Sequence, residues 1–228
     1  MVEVFAIKIL DEEGFLIKKE LLLKLLPSSN RDFYTRFKRT SALQRSLFAE
    51  LLSRFIISQK LELSPHNIVF SRSKNGKPFL ENSNTKFNLS HSGDWVVMAI
   101  AEAEVGIDVE LIRPVNYHIA ERFFSKDEVT ILNLREGKDK LNYFFDLWTL
   151  KESYLKLIGT GLTRSLSSFT VHMNSGKFVI SEEGNKMNTK VFFRQYSLSE
   201  NYKLSVCSYD NNFNPKLKLI SVDDLLTC

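Results

Sequence analysis

Apolar and polar residues recur with two different periods along the chain, and each change of period predicts the border of an element. Residues 1–10 alternate as in a strand, and a helical stretch over Lys18–Leu26 is closed by Pro27. From residue 41 to residue 59 apolar side chains recur three and four positions apart, which predicts an amphipathic helix. These side chains are Leu43, Leu47, Phe48, Leu51, Leu52, Phe55 and Ile56.

The middle of the chain is predicted to be rich in strands. Short strands are predicted over residues 67–72 and 86–89, with the turn sequence NGKP (75–78) between them. An apolar run follows at 95–101, and a strand that ends in acids follows at 105–110. The pattern changes at Arg113 and Pro114, so we predict an N-terminal half over 1–112 and a C-terminal half over 113–228.

The C-terminal half repeats the mixture of helix and strand. Ser125 and Glu128 have the spacing of a capping box, which predicts a helix running to about residue 135. A second helix is predicted from Leu141 to Ile158, ended by Gly159. Alternation at 169–172, 177–180, 190–196 and 203–208 predicts one antiparallel sheet. Each half is therefore predicted to be α+β.

Composition indicates the general class of protein, but it says little about the function. The 228 residues are 43% hydrophobic and 25% charged with a net charge of +4, which is typical of a soluble globular protein. A general nucleic-acid binder needs a stronger basic excess. Cys207 and Cys228 form no disulfide framework, the four histidines lack zinc-ligand spacing, and no signal peptide or membrane span is recognisable. We expect a cytoplasmic protein.

Two acidic groups are candidates for metal chemistry. Asp108 and Glu110 are two residues apart on a predicted strand, so their side chains leave the same face. Mg²⁺ prefers such oxygen ligands and shares its shell with water and phosphate. The alternative is a strand edge carrying two solvated acids. On the last predicted helix Glu152 lies one turn from both Trp148 and Lys156, and here the alternative is an ordinary Glu–Lys helix pair.

The segment FNLSHSG (87–93) is a candidate phosphate site. Ser90, His91, Ser92 and Gly93 are predicted to present donors in a compact turn. The alternative for His91 is an ordinary structural role, which is the more common one for a lone histidine in a turn. There is no Walker-type glycine loop, which argues against ordinary nucleotide hydrolysis.

Taken in order, the motifs FNLSHSG (87–93), GIDVE (106–110), RFFSKDE (122–128) and WTLKESYLK (148–156) resemble those of the Sfp-type 4′-phosphopantetheinyl transferases. The resemblance covers nearly the whole chain. It implies a pseudo-dimer of two similar α+β halves, with coenzyme A bound in the cleft between them. It also implies transfer of phosphopantetheine to a serine of an apo acyl or peptidyl carrier protein, with release of 3′,5′-ADP.

The resemblance also implies roles for individual residues. Asp108, Glu110 and Glu152 match the acids that bind Mg²⁺, or alternatively Mn²⁺, and Glu152, Lys156 and Asp108 match the catalytic group. The coenzyme A contacts are implied at Arg45, Gly76, Lys77, Pro78, Ser90, His91 and Lys156. The family's lysines before the Arg45 helix are not reproduced, and Arg31, Arg36, Lys38 and Arg39 are the possible substitutes.

The expected partners are coenzyme A and a carrier protein, with no nucleic acid and no membrane, and we expect a monomer. Leu111, Phe123 and Phe124 are candidate carrier contacts, although a place in the core is the favoured alternative for the two phenylalanines. Two other functions stay open on the sequence. One is a non-catalytic coenzyme A-binding module. The other is a nucleic-acid binder that uses residues 31–45 with the aromatic side chains of Phe33, Tyr34 and Phe37.

Overall fold

The computed structural model describes residues 1–81, 83–174, 176–182, 186–188 and 190–227. Its helices are α1 (Glu12–Lys24), α2 (Ser28–Tyr34), α3 (Thr40–Leu61), α4 (His118–Phe123), α5 (Lys126–Asn133), α6 (Gly137–Ile158) and α7 (Val222–Leu226). Its strands are β1 (Val2–Lys8), β2 (Phe70–Arg72), β3 (Pro78–Leu80), β4 (Lys86–Ser92), β5 (Trp95–Ala101), β6 (Val105–Leu111), β7 (Thr170–Asn174), β8 (Lys177–Glu182), β9 (Lys186–Asn188), β10 (Phe192–Gln195), β11 (Tyr202–Ser208) and β12 (Phe213–Ile220).

The first sheet has the strand order β12-β1-β5-β4, and both of its faces are buried. Alternation along β1 sends Phe5 and Ile7 toward α1, α3 and α7, and sends Val4 and Ala6 toward a second sheet. This explains why β5 is a continuous apolar run. The short β2–β3 hairpin lies beside this half of the molecule.

The second sheet has the order β10-β11-β6, and β11 is antiparallel to both neighbours. Helix α6 packs across β6 and β11, as α3 packs across β4 and β5. Each half thus packs a 22-residue helix across a pair of antiparallel strands. The remaining strands, β7, β8 and β9, form a separate small sheet that contacts α5 and α6 through β7.

Strand pairing crosses the predicted division at residue 112 in both directions. β6 precedes that division but pairs with β11. β12 follows it but pairs in parallel with β1, and α7 places Val222 and Leu225 in the core of the N-terminal half. The division into 1–112 and 113–228 therefore stays a prediction.

The mixed α+β class and the two long helices are confirmed. The Ser125–Glu128 capping box is confirmed, and Gly159 ends α6 with a positive φ of 68°. The single C-terminal sheet was a wrong prediction, because its strands divide between two sheets. Helix α1 begins earlier than predicted because the Asp11 side chain accepts a hydrogen bond from Gly14 N and caps it.

Helices α2, α4 and α7 and strands β3, β9 and β12 were not predicted. Each is short or, like β12, has no buried position and no regular alternation. Within the described residues, no helix has the length and apolarity needed to cross a membrane. Cys207 is buried with a free thiol, and burial raises its pKa, whereas Cys228 lies outside the described residues.

Candidate active site

The candidate site forms where β4, β6 and α6 meet. Helix α6 approaches β6 so closely that a Cβ on Gly106 would fall well inside van der Waals distance of Ser153 O and Leu157 N. A glycine at this position is therefore what allows the helix to lie on the strand. The close approach brings Lys156 on α6 next to Asp108 on β6.

β4 and β6 belong to different hydrogen-bonded sheets, yet a row of polar side chains joins them. Ile107 N donates to Asn88 Oδ1 at 3.0 Å, Val109 N to Ser90 Oγ at 3.4 Å and Leu111 N to Ser92 Oγ at 3.1 Å. These bonds satisfy backbone amides of β6 that have no strand partner on that side. The two sheets are thereby held in a fixed register.

The same serines orient the acidic side chains. Ser90 Oγ donates to Asp108 Oδ1 at 2.9 Å, and Ser92 Oγ donates to Glu110 Oε2 at 2.8 Å. Two serines on one face of β4 thus each bind one of the two acids on the facing side of β6. Both carboxylates consequently lie on the side of β6 that faces β4.

Lys156 supplies positive charge at the centre of this group. Its Nζ lies 2.6 Å from Asp108 Oδ1 and 2.9 Å from Ser90 Oγ. Asp108 is buried, and Lys156 keeps part of its side chain exposed. The pair therefore lies between the buried interior and the surface.

Electrostatics place Glu110 and Glu152 in the same neighbourhood as Asp108. Burial raises the pKa of Glu110 above its usual value, and the charge of Asp108 raises it further. Burial likewise raises the pKa of Glu152, with added contributions from Asp108 and then Glu110, opposed by Lys156. Three like charges thus repel one another here, and a cation would relieve that repulsion.

The carboxylate oxygens of this site are the type of ligand that a hard divalent cation prefers. Within the part of the chain that is described, no three Asp, Glu, His or Cys side chains are already arranged to hold a metal ion. Asp108 Oδ2, however, is buried and receives no hydrogen bond from any described residue. A buried carboxylate oxygen without a donor, beside two further carboxylates, is a suitable ligand for Mg²⁺.

Positive groups lie on the neighbouring surface. Arg45 Nη1 donates to Gly93 O at 3.2 Å, at the turn between β4 and β5. The exposed His91 is near both Arg45 and Lys156, and its pKa is lowered by partial desolvation and then by their charges. A neutral imidazole flanked by two cations is suited to contacting an anionic group.

Comparison with known proteins identifies the family of this chain. A model of the 4′-phosphopantetheinyl transferase superfamily matches residues 104–207, and a model of the N-terminal region of a 4′-phosphopantetheinyl transferase matches residues 17–103. The 4′-phosphopantetheinyl transferase ffp of Bacillus subtilis is 34% identical, over 90% of this chain and 92% of that protein. The chain belongs to the 4′-phosphopantetheinyl transferase family.

Two further relatives support the same assignment. The 4′-phosphopantetheinyl transferase Sfp of Bacillus subtilis (strain 168) is 32% identical over 92% of this chain and 93% of that protein. The enzyme psf-1 of Bacillus pumilus is 34% identical over 99% and 97% of the two chains. The predicted Sfp-type family and the predicted class of enzyme are confirmed.

The transferase differs from the sequence prediction in the segment around Ser90. Ser90, His91 and Ser92 lie on strand β4, and the turn begins only at Gly93, so the predicted compact turn was wrong. The Ser90 hydroxyl is buried against Asp108 and Lys156. Polar residues at alternate positions 88, 90 and 92 were the sequence signal for an edge that bonds through its side chains.

The predicted Gly76, Lys77 and Pro78 segment lies at the β2–β3 hairpin. Lys77 reaches from this hairpin to the C-terminal end of α6, where Nζ donates to Lys156 O at 2.9 Å. Gly76 has a φ of 82°, which allows the tight turn. The hairpin is thus in contact with the helix that carries Glu152 and Lys156.

Two of the sequence alternatives involve residues that are already engaged. The Arg31 guanidinium donates to Lys24 O and Leu26 O at the end of α1, whereas Arg36, Lys38 and Arg39 are exposed. Tyr34 is buried with its hydroxyl 2.6 Å from Glu50 Oε2. Tyr34 is therefore not available to stack on a nucleic-acid base, which weakens the nucleic-acid alternative.

A buried ion pair behind the site was missed by the sequence analysis. Lys151 Nζ contacts both carboxylate oxygens of Glu128, at 2.7 and 2.6 Å, and Phe169 O at 2.6 Å. The Lys151 and Glu128 side chains are fully buried, and burial lowers the pKa of Lys151 to about 8. From the sequence, Glu128 was predicted only as a member of the capping box, and Glu128 has that role as well.

Proposed function

We propose that this transferase moves the phosphopantetheine group of coenzyme A to a serine hydroxyl of an apo acyl or peptidyl carrier protein. The observation that carries the proposal is the contact of Lys156 with Asp108, beside Glu110 and Glu152, in a chain of this family. Such a group of acids around one part-exposed ammonium suits a diphosphate with its counter-ion. The relatives' names support the reaction type.

The proposed chemistry is a displacement at the phosphorus that bears the pantetheine arm. The serine oxygen forms a bond to this phosphorus, the bond to the bridging diphosphate oxygen breaks, and 3′,5′-ADP leaves. Glu152, directly or through a water molecule, accepts the serine proton. Its pKa is raised by burial and by Asp108, which makes it a stronger base than an ordinary glutamate.

Lys156 is proposed to offset negative charge on the diphosphate and on the departing group. The ammonium is part-exposed and is held by Asp108 and Ser90, so its position is fixed before substrate binds. Fixed charges of this kind stabilise developing charge without reorganisation during the reaction. Asp108 is proposed to act both as the partner of this lysine and as a metal ligand.

Asp108, Glu110 and Glu152 are the residues that would hold Mg²⁺, or alternatively Mn²⁺. When bound, such an ion supplies positive charge against the phosphate oxygens. The unpartnered Asp108 Oδ2 and the raised pKa values of both glutamates support this assignment.

Coenzyme A is proposed to bind in the cleft between two similar halves of one chain. Arg45 and His91 would contact its phosphates, and the segment of Gly76, Lys77 and Pro78 would lie at the adenine. The two long helices, each packed across a pair of antiparallel strands, support the pseudo-dimer description. Because both halves come from one chain, we propose that the enzyme acts as a monomer.

The carrier protein is proposed to dock beside the site through apolar and charged contacts. Phe124 is buried and its ring lies 5.2 Å from that of Phe144, so this residue belongs to the core. Leu111 and Phe123 are half-buried and remain candidates for the contact. If basic side chains attract an acidic carrier helix, the transfer rate will fall as salt is raised, and a rate independent of salt would contradict this attraction.

Transfer can be measured directly by mass spectrometry. Purified enzyme, coenzyme A, Mg²⁺ and an apo carrier protein should yield a carrier that is heavier by one phosphopantetheine group. A carrier with its acceptor serine changed to alanine should stay unmodified, and addition of EDTA should abolish transfer. Binding of coenzyme A without any transfer to a panel of apo carriers would instead favour the non-catalytic binding module.

A further inference from the structure

The loop between β2 and β3 has a fixed geometry that aims two side chains at α6. Ser73 N donates to Lys77 O at 2.9 Å, Gly76 N to Ser73 O at 2.9 Å, and Lys77 N to Ser73 Oγ at 3.1 Å. Arg72 Nη1 donates to Gly76 O at 3.1 Å. These bonds fix the backbone of the loop, and they therefore fix the positions from which the Asn75 and Lys77 side chains extend.

Lys77 connects three segments of the chain with one ammonium group. Nζ donates to Lys156 O at 2.9 Å in the last turn of α6 and to Val105 O at 3.2 Å at the start of β6. It also pairs with Glu104 Oε2 at 3.2 Å. Most of the Lys77 side chain is shielded from solvent, with a relative exposure of 18%. It is therefore a packed connection between α6 and β6.

Asn75 reaches the same end of the helix. Its Nδ2 donates to Gly159 O at 2.7 Å, immediately after the residue that ends α6. The last carbonyls of a helix have no partner inside the helix, and the C-terminal end carries partial negative charge. An amide donor and an ammonium at this end satisfy both requirements. The hairpin thus serves as a cap for α6 that comes from the other half of the molecule.

The capped turn is the one that carries the reactive groups. Lys156 both accepts the Lys77 hydrogen bond through its carbonyl and contacts Asp108 through its ammonium. Glu152 lies one turn earlier on the same helix. We infer that Asn75 and Lys77 position the C-terminal turn of α6, and through it Lys156 and Glu152, for phosphopantetheine transfer. This inference rests on the proposed function and adds to Lys77 a role separate from coenzyme binding.

Kinetics of the Lys77→Met variant distinguish positioning from direct binding. The methionine keeps an unbranched apolar side chain and removes the donors to α6. We expect kcat to fall about tenfold, with KM for coenzyme A changed by less than about twofold. The Lys77 ammonium is engaged with Glu104, Val105 O and Lys156 O, so its removal misplaces the reacting groups and leaves the proposed adenine contact to the remainder of the 76–78 segment. A rise in KM with unchanged kcat, or no change in either constant, would overturn the inference.

Lys86→Met is the matched control. Lys86 pairs with the same Glu104, at 3.7 Å, but is more exposed and makes no described contact with α6. It should keep the wild-type kcat, and an equal loss in both variants would assign the effect to Glu104 and not to the cap. Asn75→Asp should lower kcat more than Asn75→Ala, because it places a negative charge at the negative end of the helix. The reverse order would contradict the capping role.

Amide hydrogen exchange tests the cap without any activity measurement. In Lys77→Met the amides of residues 155–159 should exchange faster, while those in the middle of α6 keep their protection. Unchanged exchange at this end of the helix would overturn the inference even if the enzyme is active. If the wild-type protein transfers nothing, the proposed function fails, and the exchange result still decides whether the hairpin holds the helix.

Discussion

At the scale of single residues, Asp108 is the most constrained group in the site. One of its carboxylate oxygens is bound by Ser90 and Lys156, and the other is buried and receives no hydrogen bond from the described residues. Glu110 and Glu152 have raised pKa values because of burial and of this neighbouring charge. The carboxylates of Asp108, Glu110 and Glu152 therefore repel one another, which lowers the stability of the fold. The proposed metal site gives a functional reason for keeping these acids together.

This repulsion predicts that Glu152→Gln stabilises the metal-free protein at pH 7 while it abolishes transfer. The pKa of Glu152 in the folded protein is raised from 4.5, so the folded state binds this proton more tightly than the unfolded state does. Ionisation as pH rises above 4.5 therefore lowers stability. The glutamine variant should melt higher at pH 7, and its advantage should vanish once pH falls below 4.5, as thermal unfolding can measure.

Glu102→Gln provides the control for that measurement, because Glu102 is exposed on the turn between β5 and β6. It should show no comparable gain. Equal melting temperatures for wild type and Glu152→Gln at pH 7 would mean that Glu152 is not in the repulsive group.

The buried ion pair gives a prediction of the opposite sign. Lys151→Met leaves the Glu128 carboxylate in a fully buried position without its cation. Breaking one partner of such a pair costs about 3–5 kcal/mol, which chemical denaturation can measure. The double variant with Glu128→Gln should recover part of this loss, because the uncompensated charge is gone. A double variant less stable than Lys151→Met alone would contradict this explanation.

At the scale of elements, the contact of α6 with β6 determines where Lys156 and Glu152 lie. Gly106→Ala places a methyl group against Ser153 O and Leu157 N, and neither backbone atom can move without the helix. We expect a loss of about 3 kcal/mol in the free energy of unfolding. We also expect a fall in kcat, because α6 is pushed away from Asp108.

Gly14→Ala is the control for the glycine substitution, since the atom nearest to the added methyl is the side-chain Asp11 Oδ1 and the gain in helix propensity offsets any loss of that cap. Its free energy of unfolding should change by less than about 1 kcal/mol. If Gly106→Ala were equally mild, the close contact between β6 and α6 would not control the site.

The sequence predicted those elements whose pattern is local and strong. The helical period located α3 and α6, the apolar run located β5, and Ser125 with Glu128 located the start of α5. The motifs also led to the family. What the sequence could not predict was the non-local partnership of elements. Nothing near residue 213 indicates that β12 pairs with β1. The alternation of Asn88, Ser90 and Ser92 indicates a strand edge that bonds through its side chains, but it does not indicate that the partner is β6.

At the scale of the whole molecule, the two halves are joined by more than a linker. The first sheet and the second sheet bury a shared apolar cluster that includes Val4, Val97, Ile107 and Val206. β12 also returns to β1 after the chain has completed the C-terminal sheets. Removing either half would expose an apolar sheet face and an open strand edge.

We therefore predict that the chain unfolds in a single cooperative transition. Calorimetry and fluorescence should give coincident midpoints, because loss of one half exposes the core of the other. Deletion of residues 212–228 should destabilise the N-terminal half, since β1 loses its parallel partner and the core loses Val222 and Leu225. Two separated transitions in the intact protein would contradict this coupling.

The most direct test of the account is a double-mutant cycle on transfer, measured as kcat/KM with saturating Mg²⁺. Asp108→Asn and Glu152→Gln alter acids on β6 and α6 that are proposed to serve a single cation and diphosphate site. Each single variant should lose about 10²-fold or more, and the double variant should be little worse than either one. Losses that multiply independently, or wild-type activity in both single variants, would contradict the claim that these acids act together.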